Sequence, residues 1–184
     1  MKLSRFACIG LLLLALPACN AVYVDEPIGE RPLVLDPEEW EGTWLVGGGT
    51  VVMEVVDQNE GLLKIAWVEG GYQGGLELES AIIQLRGYDD WIFGTLMEYE
   101  SDDAEGAGYP WGIARQGDDQ ILILLPDVGK FRALVEAGDL PGRVDGEDVY
   151  LESLELEHLA RILSDEHPFL FEVDEFAAAT RIAR

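Results

Sequence analysis

The chain has 184 residues, with 36 acidic against 12 basic side chains and a formal charge of −24 at pH 7. Such a balance excludes proteins that track nucleic-acid phosphates, because those need a basic footprint. A hydrophobic share of 48% with five Trp instead predicts one folded domain able to bury a sizeable core.

The first elements are not domain structure. Lys2 and Arg5 precede an apolar run from Phe6 to Leu16, which Pro17 breaks. This layout predicts a signal peptide over residues 1–18, since the run is too short for a bilayer span of about 20 residues. The two cysteines of the chain, Cys8 and Cys19, both lie here. Removal of Cys8 with the signal peptide leaves no partner for an intramolecular disulfide, so packing must hold the fold.

Leu16-Pro17-Ala18-Cys19 resembles the lipobox of bacterial lipoproteins: an aliphatic residue at −3, a small one at −1, then cysteine. The resemblance implies diacylation of the Cys19 thiol, cleavage before it and acylation of the new amino terminus. Asn20, rather than Asp, implies sorting to the outer membrane, facing the periplasm, in a Gram-negative host. Each buried CH₂ contributes about 0.8 kcal/mol, so two or more chains anchor durably. Anionic headgroups would repel so acidic a surface, so membrane contact is expected through the acyl chains alone.

Residues 19–37 then form the lipid anchor and a Pro-containing segment with Pro27, Pro32 and Pro37. Proline disfavours helix and ladder, which predicts a semi-extended tether reaching about 50 Å. An edge segment laid on the domain through Val34 and Leu35 is the alternative.

Residues 38–184 read as a single β-rich domain. Gly42–Val46, Thr50–Val56 and Leu62–Glu69 are strands, with a hairpin loop at 57–61 and Gly47-Gly48-Gly49 relaxing a tight turn. Leu76, Leu78 and Ser80 alternate with Glu77 and Glu79 as a half-buried strand. The doublet Ile82-Ile83 predicts a bulge. After a turn at 87–90, Trp91, Phe93, Thr95, Met97 and Tyr99 share one strand face. Residues 101–108 are a loop, Tyr109, Trp111 and Ile113 alternate on the next strand, and Ile121–Leu125 follows. Asp127 caps a helix through Val128, Phe131, Leu134 and Val135 that Gly138 ends. Val149–Leu151 is a strand, Ser153 caps a second helix bearing Leu156, Leu159 and Leu163, and Phe169–Val173 and Ala179–Ile182 are late strands.

Strand after strand joined by short turns favours antiparallel order, and a sheet of that size closes or splits to hide its edges. The expected fold is mainly β: a meander forming a small closed barrel or strongly curved sheet, with two short helices in the C-terminal third. A β-sandwich is the runner-up. Gly42-Thr43-Trp44 resembles the Gly-x-Trp signature on the first strand of lipocalins and related barrels. That resemblance implies a tryptophan plugging the barrel base under an arginine from near the last strand, here Arg181, as a cation–π pair. The stretch from Lys130 to Gly142 is similar to one in uncharacterised bacterial lipoproteins, which implies no activity.

Chemical signatures are sparse. Ser80, Ser101, Ser153 and Ser164 occur without a nucleophile turn, and His158 and His167 read as packed or surface residues. Two histidines and an acylated Cys19 make no metal centre, and the acids of residues 101–106 lack the alternating ligand set of a Ca²⁺ loop. No catalytic residue, cofactor or metal is expected. Trp67, Trp91, Trp111, Tyr99 and Tyr109 are the candidates for lining a ligand cavity, with core filling as the alternative. The expectation is a non-enzymatic module for a lipophilic or other small ligand. The alternative is an accessory envelope protein acting through a protein partner.

Overall fold

The computed structural model describes residues 20–70, 76–99, 108–164, 169–173 and 176–183, with Glu69, Gly70 and Tyr99 described by backbone alone. Cys19 and the Phe6–Leu16 run lie outside the described residues.

Eight antiparallel strands close into a barrel. In chain order they are β3 (Gly42–Val46), β4 (Gly49–Asp57), β5 (Leu62–Gly70), β6 (Leu76–Tyr88), β7 (Trp91–Tyr99), β8 (Tyr109–Gln116), β9 (Gln120–Leu124) and β12 (Ala177–Ala183). Each pairs with the next, and β12 closes the ring by pairing with both β9 and β3. The expected closure is therefore present, and the sandwich is not. Closure satisfies edge N–H and C=O groups that an open meander would leave unpaired.

The turns follow from local chemistry. Gly47 and Gly48 take φ of 54° and 98° between β3 and β4, a conformation that costs glycine least. The register slips between Ile82 and Ile83, as the doublet predicts, but the extra residue is Met97 on the partner strand: Leu96 pairs with Ile83 and Glu98 with Ile82.

A second layer covers one side of the barrel. It comprises β1 (Val22–Val24), β10 (Gly142–Asp145), β11 (Asp148–Leu151), and the helices α2 (Val128–Ala137) and α3 (Leu156–Ile162). β1 joins this layer to the wall by pairing parallel with β11 and antiparallel with β8. Asp127 caps α2 by accepting from Lys130 N at 3.1 Å, and Gly138 ends it in the left-handed region. The cap of α3 is Glu155 rather than Ser153: its N–H donates to His158 Nδ1 at 3.0 Å.

Three expectations are corrected. The expected tether is built into the fold: Val22, Val24, Ile28 and Leu35 are buried, and β2 (Arg31–Pro32) pairs with β6. Regularly placed aliphatic residues outweigh the prolines there, because burying each contributes about 1.5–3 kcal/mol. The same segment adds a third helix, α1 (Pro37–Trp40), capped by Asp36. Phe169–Val173 is no strand; Phe171 makes only an isolated bridge to Pro126.

Candidate functional site

The two faces of the barrel wall carry two separate cores. Inside lie Trp44, Met53, Leu63, Ile65, Trp67, Ala81, Leu85, Ile121 and Ala179. Between the wall and the second layer lie Phe93, Trp111, Ile113, Leu124, Phe131, Leu159 and Phe171. The period-two alternation of strands is the cause: in β7, Ile92 and Leu96 join the interior, while Phe93 points outward.

That parity divides the proposed cavity residues. Trp67 belongs to the interior cluster. Trp111 stacks with Phe93 at 6.0 Å and meets Phe131 and Phe171 edge-on at 5.5 and 5.8 Å, all outside the barrel. Trp91 and Tyr109 pack against the same outer cluster, with the Arg115 guanidinium 4.0 Å over the Trp91 ring. Tyr99 stands opposite Ala81 in the register; its side chain lies outside the described residues. Trp91, Tyr109 and Trp111 thus fasten the second layer to the wall, while Trp67 faces the interior.

One end of the barrel is stoppered. Gly42 begins β3 with a φ of 130°, and Trp44 is fully buried two residues on. The Trp44 indole N–H donates to Trp40 O at 3.2 Å, tying α1 across the opening. Arg181 places its guanidinium 4.7 Å from the Trp44 ring and donates from Nη1 to Glu38 O at 2.7 Å. The three residues that carry the barrel-closure reading, Gly42, Trp44 and Arg181, therefore meet at one end. The segment before this plug reads from the sequence as a tether or, alternatively, as an edge segment through Val34 and Leu35; the alternative holds for Leu35, which is buried with Trp40, while Val34 is exposed.

The opposite end carries the turn at Gly47-Gly48. There the inward-facing Val46, Val51 and Leu96, like Ile83 and Ile123 elsewhere on the lining, are only partly buried. Two surface concavities lie outside the barrel and adjoin. One of about 600 Å³ runs between Gly29-Glu30 and the Leu154–Leu159 segment. The other is floored by Gln84 and Arg86, with Arg86 donating to Gly29 O and Glu30 O.

Chemistry is thin among the described residues. No group of three or more His, Cys, Asp or Glu side chains could hold a metal ion. His158 serves the α3 cap, and Ser164 Oγ is buried without a hydrogen-bond partner. Burial raises the Tyr23 phenol above its ordinary value, helped by the nearby Asp148 and Tyr150; Tyr23 stacks on Tyr150 at 5.1 Å, where β1 meets β11.

Fold and site together define a closed eight-stranded antiparallel barrel, stoppered at one end and backed by a mixed layer of three strands and two helices. Comparison with family models, with curated proteins and with solved structures returns no match to this chain.

Proposed function

We propose that this chain is an outer-membrane-anchored, periplasm-facing bacterial lipoprotein whose barrel is a non-enzymatic binding module for a lipophilic or other small ligand. The anchor is the acylated Cys19, with cleavage after residue 18. The observation that most supports the binding role is the incomplete burial of the apolar lining at Val46, Val51, Ile83, Leu96 and Ile123. Apolar surface inside a closed wall, still reachable by solvent, is what a lipophile would cover.

Two measurements test the two parts separately. Intact-mass analysis of protein from envelopes is expected to show loss of residues 1–18 and a mass increment of acyl chains on Cys19; an unmodified, uncleaved chain overturns the anchor. Native mass spectrometry is expected to show a co-purified small molecule, and Nile red is expected to bind one to one. Absence of both overturns the binding role.

A second reading is an accessory envelope protein acting through a protein partner. The groove between Gly29-Glu30 and Leu154–Leu159 supports it, having an aliphatic floor and acidic walls in Glu30, Glu155 and Glu157. A basic, aliphatic segment is the complement of such a groove.

A further inference from the structure

The expected tether is missing where an anchor at Cys19 would need it. Cys19 stands two residues before Ala21, and Ala21 is already part of the fold. Its N–H donates to Asp148 Oδ1 at 3.0 Å, and its C=O accepts from Val149 N at 3.0 Å. Ala21, Val22 and Val24 are buried, and β1 is held between β11 and β8. Releasing β1 would expose two valines and break pairings on both of its sides, so this strand supplies no slack. Two extended residues span about 7 Å. A group joined to Cys19 therefore starts within about 7 Å of Ala21, in place of the reach of about 50 Å that a tether would give.

The surroundings of that point are defined. Asp148 begins β11 and stands opposite Asp145 on β10. Asp145, Gly146 and Glu147 in the turn between them are exposed, as is Asn20. Arg132 on α2 donates from Nη2 to Gly146 O at 3.0 Å and so brings a cation to the same turn.

We propose that the membrane holding Cys19 is also the surface on which this domain rests, with the 145–148 turn at the lipid headgroups. The inference rests on the acylation of Cys19 proposed above. Two or more acyl chains bind durably. Repulsion between a few exposed carboxylates and anionic headgroups is screened by salt and small beside that anchor, and the Arg132 guanidinium offsets part of it. The domain then works at its own membrane, because another layer of the envelope is beyond a leash of two residues. Exposed aliphatic residues elsewhere do not set this orientation. Leu78 on β6 is 72% exposed, which corrects the half-buried strand read from its alternation, but β6 lies two strands from β8 in the sheet order.

The test uses the full chain in a Gram-negative host, with p-benzoylphenylalanine in place of Glu147, Glu54 or Leu78. Glu54 is exposed on β4, four strands from β8 whichever way the ring is followed. After irradiation, phospholipid adducts read by mass spectrometry are expected at 147 and not at 54 or 78. The same label at Asp145 gives an independent second reading of the turn. Ten Gly and Ser residues inserted between Asn20 and Ala21 are expected to lower the adduct yield at 147 roughly tenfold, because effective concentration falls about as the −3/2 power of leash length. Circular dichroism melting shows that each variant is folded. Intact mass on the same samples separates the anchor from the orientation. An acylated chain without adducts at 145 and 147 overturns this inference and leaves the anchor standing. So do equal or greater yields at 54 or 78, or a yield at 147 that the insertion leaves unchanged. A chain without acyl groups overturns the anchor and this inference with it.

Discussion

Arg181 holds its guanidinium 4.7 Å from the centre of the Trp44 ring, joining the last barrel strand to the first. Its Nη1 also donates to Glu38 O at 2.7 Å, so one side chain binds two strands and α1. A partly desolvated cation–π contact and a charged hydrogen bond together imply that Arg181→Ala costs about 2 kcal/mol. Urea denaturation measures it. In a Trp44→Phe background the cost is expected to be smaller, because phenyl is the weaker cation acceptor; an equal loss in both backgrounds removes the cation–π term.

Two glycines with similar backbones should respond differently. Gly146 has a φ of +61° in open space, whereas Gly61 has a φ of +68° and an added Cβ would lie 2.3 Å from Leu85 O. Leu85 N in turn donates to Gly61 O at 2.8 Å. Gly146→Ala is expected to cost about 1 kcal/mol, the left-handed penalty alone. Gly61→Ala adds a backbone collision and is expected to cost about 3 kcal/mol. Equal midpoints for the two variants in urea would contradict the close packing of the 58–61 turn on β6.

Thr95 is fully buried and its hydroxyl has no hydrogen-bond partner. Its register partner Trp111 likewise leaves Nε1 unpaired. Thr95→Val keeps the β-branched shape and removes a desolvated hydroxyl, so it is expected to stabilise the fold by about 1 kcal/mol. Loss of stability in thermal melts would mean that the hydroxyl is satisfied in solution.

The α2 cap carries a pH dependence. Burial raises the Asp127 carboxyl, but hydrogen bonds from the Lys130 side chain and backbone, together with the Lys130 charge, outweigh it and leave the carboxyl below its ordinary value of 3.8. Lys130 Nζ lies 2.9 Å from Asp127 Oδ2. A carboxyl lowered in the folded state stabilises above its unfolded value, and that contribution is lost as pH falls from there through the folded value. Asp127→Ala is expected to cost about 1 kcal/mol at pH 7, and the deficit should shrink below the ordinary carboxylate range. A deficit unchanged at pH 2.5 to 3 would show that charge and its hydrogen bonds do not carry the cap.

Much of the barrel was legible because strand signals are local. Alternation in Trp91–Thr95 and Tyr109–Ile113, the glycines at 47 and 48, and the cap at Asp127 each act within a few residues; the expected single face from Trp91 to Tyr99 is broken by the slip at Met97. What alternation does not say is which of the two faces is interior. Trp91, Trp111 and Tyr109 were legible as one face, but the same pattern suits a barrel lining and an outer face under a second layer. The prolines of residues 27–37 misled for a related reason: they report local backbone preference, whereas Leu35 and Trp40 are held by contacts with the barrel end.

By itself the sequence determined the strand-rich class, the hairpin order and the Gly42, Trp44 and Arg181 members of the plug, and it carries the lipobox-like segment whose reading the Cys19 experiment tests. These depend on spacing along the chain, which is printed in the order of residues. Tertiary structure decided that the ring closes through β12, that Trp91, Tyr109 and Trp111 lie outside the wall while Trp67 lies inside, and that Val22, Leu35 and Trp40 are buried against the domain. Each of these needs residues far apart in the chain to be brought side by side, and burial and cation–π contact are properties of neighbours in space.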